Sequence, residues 1–193
     1  MPDAAATTVA KTAALSRATA RLAPLTLVLG GARSGKSAYA ESLFAGHQAP
    51  VYLATAEAGD AEMAARIETH RRRRGPAWTT VEAPLDLVGA LRAHAAPGRA
   101  ILVDCLTLWL SNLMGAGCEI EAGIEQLAVA LPTLPAPVVL VANEVGLGIV
   151  PDNAATRTFR DHAGRLNQRL AQLCQHVVFV AAGLPLMLKE EAR

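Results

Sequence analysis

The sequence lacks a strong net charge, is poor in aromatic residues and has few cysteines. Its 193 residues carry 18 Lys and Arg against 17 Asp and Glu, a formal net charge of +1. A chain this close to neutrality has no overall field for binding nucleic acid or an anionic membrane surface, so any anion recognition has to be local. The cysteines, Cys105, Cys118 and Cys174, form no C-x-x-C pair. This spacing favours a reducing cytoplasm over a disulfide framework or a zinc site.

Long apolar runs are also missing. The longest ones, such as Val177 to Ala182 and Leu184 to Leu188, are broken by glycine or proline and are far too short for a spanning helix. Residues 1–24 are rich in Ala and Thr and lack the apolar region of a signal peptide. They are expected to form a disordered extension, although a transit peptide has a similar composition. Residues 25–193 are expected to form one domain, without a membrane span.

Strand and helix signals alternate from Leu25 onward, which is typical of an α/β domain with a mostly parallel sheet covered on both faces. Ligands of such sheets bind beyond the carboxyl ends of the strands, so the residues after each strand are the first candidates for a site. Strands are predicted at 25–29, 51–55, 100–104, 137–142 and 176–181, with a weaker one near 78–82. Helices are predicted at 36–45, 60–73, 84–95, 106–115, 120–131 and 153–174.

The clearest motif joins the first strand to the first helix. Gly30, Gly35, Lys36 and Ser37 match the pattern G-x-x-x-x-G-K-[ST]. In this pattern the glycines turn backbone N–H groups toward phosphate oxygens, the lysine reaches the β- and γ-phosphates, and the serine hydroxyl binds Mg²⁺. The motif therefore predicts a nucleoside-triphosphate site. The alternative is a glycine turn that happens to precede a lysine.

Two other strand ends carry polar residues. Asp104 follows the strand that ends in ILV, where phosphate-binding domains place a carboxylate for Mg²⁺. A predicted helix begins directly after it, so Asp104 also suits the role of an N-cap, and the two roles can coexist. Asn143 and Glu144 end another strand, where a capped turn explains them equally well. The next helix has polar residues that could face the site, although spacing does not decide it: Arg160, Arg165, Asn167 and Arg169.

A basic segment follows the second predicted helix. Met63, Ile67 and His70 share one face of that helix, so packing in the core is the plain interpretation of the histidine. Four consecutive arginines, Arg71 to Arg74, come next in a chain with no other basic cluster. Such a run is commonly a solvated face, but guanidinium groups also match phosphate oxygens.

Six segments together resemble a known family: GGARSGKS, YLATAEAGDAEMAARIETHRRRRG, VDCLTLWLSNLM, NEVGLGIVP, FRDHAGRLNQRLA and VFVAAGLPLMLK. They are similar to the bifunctional adenosylcobinamide kinase / adenosylcobinamide-phosphate guanylyltransferases of cobalamin biosynthesis, over about residues 25–189. The resemblance implies a three-layer, RecA-like P-loop NTPase domain that assembles as a homo-oligomer, a trimer. It also implies that adenosylcobinamide is phosphorylated with ATP or GTP. GMP is then transferred from GTP to adenosylcobinamide phosphate, giving adenosylcobinamide-GDP and pyrophosphate.

The resemblance also implies roles for individual residues. His70 matches the family's guanylylated histidine, and Thr69 stands where some members have a second histidine. Lys36 is implied to be catalytic, and Ser37 and Asp104 to hold Mg²⁺. The guanine nucleotide is implied to contact Gly30, Gly31, Ala32, Arg33, Ser34, Gly35, Lys36, Ser37, Ala54, Thr55, Ala56, Arg71, Arg72, Arg73, Arg74, Glu82 and Asp104.

Two other function classes fit the P-loop. One is a small-molecule kinase that transfers only the γ-phosphoryl group, in which case His70 would be a packing residue. The other is a GTPase-type switch, but the chain has no N-K-x-D motif for reading guanine. The segment from His70 to Arg74 argues against the plain kinase. A histidine nucleophile would split one difficult transfer into two easier displacements.

Overall fold

The computed structural model describes residues 22–56, 72 and 74–191. Within this part of the chain, seven strands form one sheet: β1 (Leu25–Gly30), β2 (Val51–Ala54), β3 (Thr79–Glu82), β4 (Ile101–Asp104), β5 (Val138–Asn143), β6 (His176–Ala181) and β7 (Leu184–Glu190). Their order across the sheet is β3-β2-β4-β5-β1-β6-β7. Neighbouring strands are parallel, except that β7 runs antiparallel to β6. The predicted mostly parallel α/β sheet is confirmed.

The described residues also contain five α-helices and a short 3-10 turn at Leu131–Thr133. The helices are α1 (Lys36–Ser42), α2 (Leu87–His94), α3 (Leu106–Gly115), α4 (Ile120–Ala130) and α5 (Ala154–Leu173). The predicted helix 36–45 ends earlier, at Ser42, and 84–95 shortens to α2 because Asp86 caps it. The side chain of Asp86 accepts a hydrogen bond from the Gly89 N–H at 2.8 Å. The predicted helix 60–73 lies outside the described residues, apart from residue 72, which is helical.

Both faces of the central strands β1, β2, β4 and β5 are buried, which makes the fold three-layered. Alternate residues of β1 belong to two separate apolar clusters, with Leu27 and Leu29 on one face and Val28 on the other. Helices α2 to α5 cover the first face, and α1 packs on the second through Ala40. Burial of this kind accounts for the continuous apolar runs from which the strands were predicted. Replacing a fully buried leucine such as Leu27 with alanine is expected to cost about 2–5 kcal/mol.

Strand β7 was not predicted, and its sequence explains why. The run that contains it includes Pro185, which weakens a strand assignment because proline removes a ladder donor. Here Pro185 lies on the edge strand, opposite Val180 of β6, and an edge strand tolerates proline. Ala182 and Gly183 connect the two strands, both with positive φ, 49° and 78°. That geometry is typical of a tight hairpin turn.

The packed chain includes residues that were assigned to the N-terminal extension. Leu22 and Ala23 are buried, at 8% and 3% exposure. The carbonyl of Pro24 accepts a hydrogen bond from the Val138 N–H at 2.9 Å, so this residue extends the pairing of β1 with β5. Residues 22–24 therefore pack with the domain. Among the helices described, none is long and apolar enough to cross a membrane.

Candidate nucleotide-binding site

The loop between β1 and α1 has a shape that requires its two motif glycines. A Cβ on Gly30 would lie 2.5 Å from both the Ser34 Oγ and the Val180 carbonyl oxygen. Gly35 has a φ of 94°, in the left-handed region that disfavours side chains. A Cβ on Gly35 would also lie 3.0 Å from the Cα of Gly183. The glycines of the predicted P-loop are thus dictated by geometry as well as by the motif.

Hydrogen bonds close this loop on itself and attach it to the β6–β7 turn. The Ser34 N–H donates to the Gly31 carbonyl at 3.3 Å, and the Gly183 N–H donates to the Ser34 carbonyl at 2.8 Å. The Lys36 Nζ donates to the Gly31 carbonyl at 3.0 Å, and the residue is only 9% exposed. The ammonium group is therefore held against the loop and not extended into solvent. The Ser34 Oγ is buried and has no hydrogen-bond partner among the described atoms.

The carboxyl ends of five strands bring the predicted residues to one edge of the sheet. Ala54 pairs with Glu82 on one side and Asp104 on the other, and Gly30 pairs with Asn143. Strand β5 lies between the strands that end in Gly30 and Asp104. The P-loop residues 30–37, residues 54–56, Glu82 and Asp104 therefore share the edge where parallel sheets bind ligands.

Asp104 is not the N-cap of α3. That position is held by Cys105, whose Sγ accepts a hydrogen bond from the Leu108 N–H at 3.4 Å. Burial raises the pKa of the Cys105 thiol to about 11, and the neighbouring Asp104 carboxylate adds to this effect. The thiol is therefore neutral at physiological pH. The capping alternative for Asp104 is wrong, while its role at a metal stays a prediction.

The carboxylate of Asp104 is hydrogen-bonded to a buried tyrosine that the sequence analysis did not single out. The Tyr52 hydroxyl donates to Asp104 Oδ2 at 3.1 Å. Burial and the Asp104 carboxylate raise the pKa of Tyr52 well above its ordinary value. The phenol therefore stays protonated and remains a hydrogen-bond donor.

Thr55 fastens the ends of β2 and β4 together. Its Oγ1 donates to the Cys105 carbonyl at 2.7 Å and accepts from the Cys105 N–H at 2.8 Å, and the residue is fully buried. Asn112 of α3 adds a second clamp, because its Nδ2 donates to the carbonyls of Thr55 and Pro84 at 2.8 and 3.1 Å. These bonds hold Ala54 and Asp104 in register. The sequence analysis did not identify Asn112 as a functional residue. The one available signal was a single amide side chain within an apolar helix.

The arginine run is only partly described. Arg72 is exposed. The Arg74 side chain is 3% exposed, with its guanidinium carbon 3.4 Å from the centre of the Tyr52 ring and Nη1 3.9 Å from Glu41 Oε1. His70, Arg71 and Arg73 lie outside the described residues, as do Met63 and Ile67, so their predicted roles stay predictions.

Glu82 lines one end of an open groove. It ends β3 and is exposed, and the groove runs from it along α2 as far as His94. Other residues that line the groove are Pro84, Leu85, Asp86, Gly89 and His94. The groove leaves Glu82 accessible to a ligand bound beyond the strand ends. Its contact with a nucleotide stays a prediction.

Asn143 and Glu144, at the end of β5, differ in their contacts. The Glu144 Oε1 accepts a hydrogen bond from the Gly146 N–H at 2.5 Å, as expected of a capped turn. The Asn143 N–H donates to Thr107 Oγ1 at 2.6 Å, but its Oδ1 is buried with no partner in the described part of the chain. Buried oxygens are usually hydrogen-bonded. Asn143 Oδ1 is therefore a candidate contact for a bound molecule.

Most of the polar residues named on α5 bond elsewhere among the described residues. Arg165 and Arg169 pair with Glu121 and Glu125 of α4, both at 2.8 Å, on an exposed surface. The hydrogen bonds from these arginines lower the pKa of both glutamates. Arg160 pairs with its neighbour Asp161. Asn167 bonds to a strand end in the described part of the chain, with its Nδ2 3.4 Å from the Asn143 carbonyl.

The residues present fit a magnesium ion held largely by a bound triphosphate. No group of three or more His, Cys, Asp or Glu side chains in the described residues could hold a metal ion. Mg²⁺ is typically bound through one or two protein oxygens together with substrate phosphates and water. The Ser37 hydroxyl and the Asp104 carboxylate are oxygen ligands of that kind.

Comparison with known proteins decides the family. The model of the family described as "Cobinamide kinase / cobinamide phosphate guanyltransferase" matches residues 26–188. The chain belongs to this family. A bifunctional adenosylcobalamin biosynthesis protein of Pseudomonas aeruginosa, CobP, is 49% identical over 170 residues, covering 86% of this chain and 97% of that protein. The Salmonella typhimurium protein CobU is 43% identical over 178 residues, covering 84% of this chain and 98% of that protein.

The family assignment confirms the resemblance stated from the sequence, and with it the prediction of a bifunctional P-loop enzyme. Among solved structures, one from Pyrococcus horikoshii OT3 superposes with a TM-score of 0.51 at 10% identity, covering 90% of this chain and 89% of that one. This likeness concerns the α/β fold alone. Membership of the family therefore favours cobinamide kinase and guanyltransferase activities over the two alternatives, a plain kinase and a GTPase-type switch.

Proposed function

We propose that this enzyme phosphorylates adenosylcobinamide with ATP or GTP and then joins GMP to the new phosphate through a covalent intermediate on His70. The observation that carries the first half is the closed P-loop with Lys36 held 3.0 Å from the Gly31 carbonyl, at the same sheet edge as Asp104. The second half rests on family membership and on the match of His70 to the family's guanylylated histidine.

In the kinase reaction the chain acts mainly by positioning. The backbone N–H groups of the P-loop bind the phosphates, and Lys36 exchanges a carbonyl contact for the β- and γ-phosphate oxygens. The hydroxyl of adenosylcobinamide attacks the γ-phosphorus in line with the departing diphosphate. A charge held in place before the reaction stabilises the developing charge without reorganisation.

Ser37 and Asp104 would hold Mg²⁺ when the nucleotide binds. The ion would neutralise charge on the triphosphate. The chain's own contribution is to orient the two oxygen ligands. Ser37 is placed by the first turn of α1, and Asp104 by the end of β4 and the hydrogen bond from Tyr52.

In the guanylyl transfer His70 acts as the nucleophile. An imidazole nitrogen attacks the α-phosphorus of GTP, a nitrogen–phosphorus bond forms, and the bond to the β-phosphate oxygen breaks to release pyrophosphate. An oxygen of adenosylcobinamide phosphate then attacks the same phosphorus. The nitrogen–phosphorus bond breaks, the electron pair returns to the imidazole, and adenosylcobinamide-GDP is released.

Product analysis with two labels tests both reactions. ATP labelled in the γ-phosphate, incubated with adenosylcobinamide, should yield a labelled corrinoid. GTP labelled in the α-phosphate, incubated with adenosylcobinamide phosphate, should yield a labelled corrinoid and unlabelled pyrophosphate. Label transfer in the first reaction alone would reduce the enzyme to a kinase, and no transfer in either would overturn the proposal.

We further propose that the enzyme is a homotrimer. Leu184 and Leu186 share one face of edge strand β7, at 72% and 60% exposure, and Leu188, at the register shift between β6 and β7, is 56% exposed. An exposed apolar row on an edge strand is a surface that a second copy of the chain would cover. Light scattering should give three times the chain mass for the parent and a smaller mass for Leu186→Glu. A monomeric parent would contradict the proposal.

A further inference from the structure

A chain of buried contacts, which we name the buried bridge, links the P-loop helix to the candidate metal ligand. Its members are Glu41, Arg74, Tyr52 and Asp104. Glu41 lies on α1, Arg74 is helical, Tyr52 lies on β2 and Asp104 ends β4. The bridge therefore joins the two elements that carry Ser37 and Asp104.

The first contact of the bridge orients Asp104. Tyr52 pairs with Leu102 across β2 and β4, so Tyr52 and Asp104 lie on the same face of the sheet, two residues apart along it. The Tyr52 hydroxyl donates to Asp104 Oδ2 at 3.1 Å, and the residue is 6% exposed. A hydrogen bond to one carboxylate oxygen restricts rotation of the group. Such bonds are a general way of orienting a metal ligand.

The second contact fixes the tyrosine ring. The guanidinium carbon of Arg74 lies 3.4 Å from the centre of the ring, a distance at which a cation is attracted to the aromatic face. Trp78 meets the same ring edge to face, with 6.3 Å between centroids and planes at 81°. Phe44 in turn packs 4.9 Å from Trp78. The position of the Tyr52 hydroxyl is set by this packing.

The third contact attaches the bridge to the P-loop helix. Arg74 Nη1 lies 3.9 Å from Glu41 Oε1, close enough for an ion pair but too far for a hydrogen bond, with the two side chains only 3% and 11% exposed. Arg74 Nε and Nη1 have no hydrogen-bond partner among the described residues. A buried guanidinium needs a nearby anion to offset its desolvation. Glu41 lies four residues after Ser37, about one turn further along α1. The position of this helix relative to Asp104 is thus linked to a buried ion pair.

We propose that Tyr52 is a positioning residue for the metal-bound nucleotide, and that Arg74 supports Tyr52 through the face of its ring. Tyr52 orients the carboxylate of Asp104, and the contact of Arg74 with Glu41 keeps that carboxylate in register with Ser37. The inference rests on the proposed function, because it takes Ser37 and Asp104 as the protein ligands of Mg²⁺.

Binding measurements on Tyr52→Phe separate positioning from a structural role. This change keeps the ring and its contacts with Arg74 and Trp78 and removes only the hydroxyl. The probe is a GTP analogue with a methylene group between the α- and β-phosphates, which cannot release pyrophosphate. Its affinity should fall about tenfold in the presence of Mg²⁺ and stay unchanged in EDTA. With Mn²⁺ in place of Mg²⁺, electron paramagnetic resonance should show correspondingly weaker binding of the ion.

Thr158→Val is the control, because it removes a hydroxyl group from an exposed position on α5. Its nucleotide affinity should equal that of the parent with and without the metal. If Tyr52→Phe weakens binding equally in Mg²⁺ and in EDTA, the hydroxyl stabilises the fold and the inference is overturned. Unchanged binding of Tyr52→Phe in both conditions also overturns it.

Arg74→Lys tests the second part of the inference. A lysine keeps the charge beside Glu41 but loses the flat stack on the ring. We expect a metal-dependent loss like that of Tyr52→Phe, and a double variant no weaker than either single one. A loss of equal size in EDTA would instead place Arg74 on the nucleotide.

Asp104→Asn distinguishes failure of this inference from failure of the proposed function. If Asp104→Asn loses the metal-dependent part of binding while Tyr52→Phe does not, only the positioning inference fails. If Asp104→Asn binds like the parent in Mg²⁺, the metal assignment fails, and the inference with it.

Discussion

Two groups of polar residues lie at the same edge of the sheet and differ in how their hydrogen bonds are used. Thr55 and Asn112 bond within the protein, joining the ends of β2 and β4 to α3. Ser34 Oγ and Asn143 Oδ1 are buried without a partner in the described residues. Because a buried polar atom is costly unless it is bonded, the first group forms the scaffold and the second is available to ligands. Substitution of Thr55, described below, tests the scaffold side of this division.

The largest effect is expected at Lys36. Lys36→Ala removes the charge that the P-loop holds for the phosphates, so phosphorylation of adenosylcobinamide should slow by about 100-fold or more. The thermal midpoint should change little, because the loop keeps its backbone hydrogen bonds. Lys189→Ala, on strand β7, is the matched control and should phosphorylate at the parent rate. A near-parent rate for Lys36→Ala would contradict the P-loop assignment.

A smaller effect is expected at Asp104. Asp104→Asn keeps an oxygen that can accept from Tyr52 but loses the negative charge, so both reactions should slow about 10- to 100-fold at fixed Mg²⁺. Raising the Mg²⁺ concentration should restore part of the rate. Asp161→Asn, on the exposed surface of α5, supplies the control. If added Mg²⁺ does not restore the rate of Asp104→Asn and the thermal midpoint of the variant is lower, Asp104 stabilises the fold and does not hold the ion.

Thr55 should affect stability and leave the catalytic rate nearly unchanged. Thr55→Val has almost the same shape but leaves the buried N–H and carbonyl of Cys105 without their partner. The free energy of unfolding should fall by about 1–3 kcal/mol, measured by denaturant titration. Thr158→Val, on the exposed face of α5, should change it by less than about 0.5 kcal/mol. If the folded Thr55→Val protein keeps its stability but loses nucleotide binding, Thr55 belongs with the ligand contacts.

The sequence predicts β1, β2, β4, β5 and β6 well because each is a mostly buried apolar run. Strand β3 is exposed and gives only a weak signal. It misses β7, where Pro185 interrupts the run and only the pairing with β6 makes it a strand. The predicted range of helix α1 is too long at its end, because residues 43–46 form turns and Gly46 has a positive φ of 86°. These differences are local, and the order of elements is unaffected.

The candidate site is predicted where a motif exists and missed where it depends on contacts between strands. Residues 30–37 follow from their glycine spacing, and Asp104 from its place after an apolar strand. Tyr52 reaches Asp104 from 52 residues away, and no local pattern indicates that contact. The burial of Arg74 is also not predictable from the sequence, because a run of four arginines is typical of a solvated surface.

The central claim is the histidine nucleophile, and retention of label on the protein tests it most directly. The parent and His70→Ala are incubated with GTP labelled in the α-phosphate, denatured, and treated with acid or alkali. We predict label on the parent alone, lost in acid and retained in alkali as expected of a phosphoramidate. It should form more slowly below about pH 6.5, where an ordinary imidazole is protonated and cannot attack. Label that persists on His70→Ala, or that survives acid on the parent, would contradict the account.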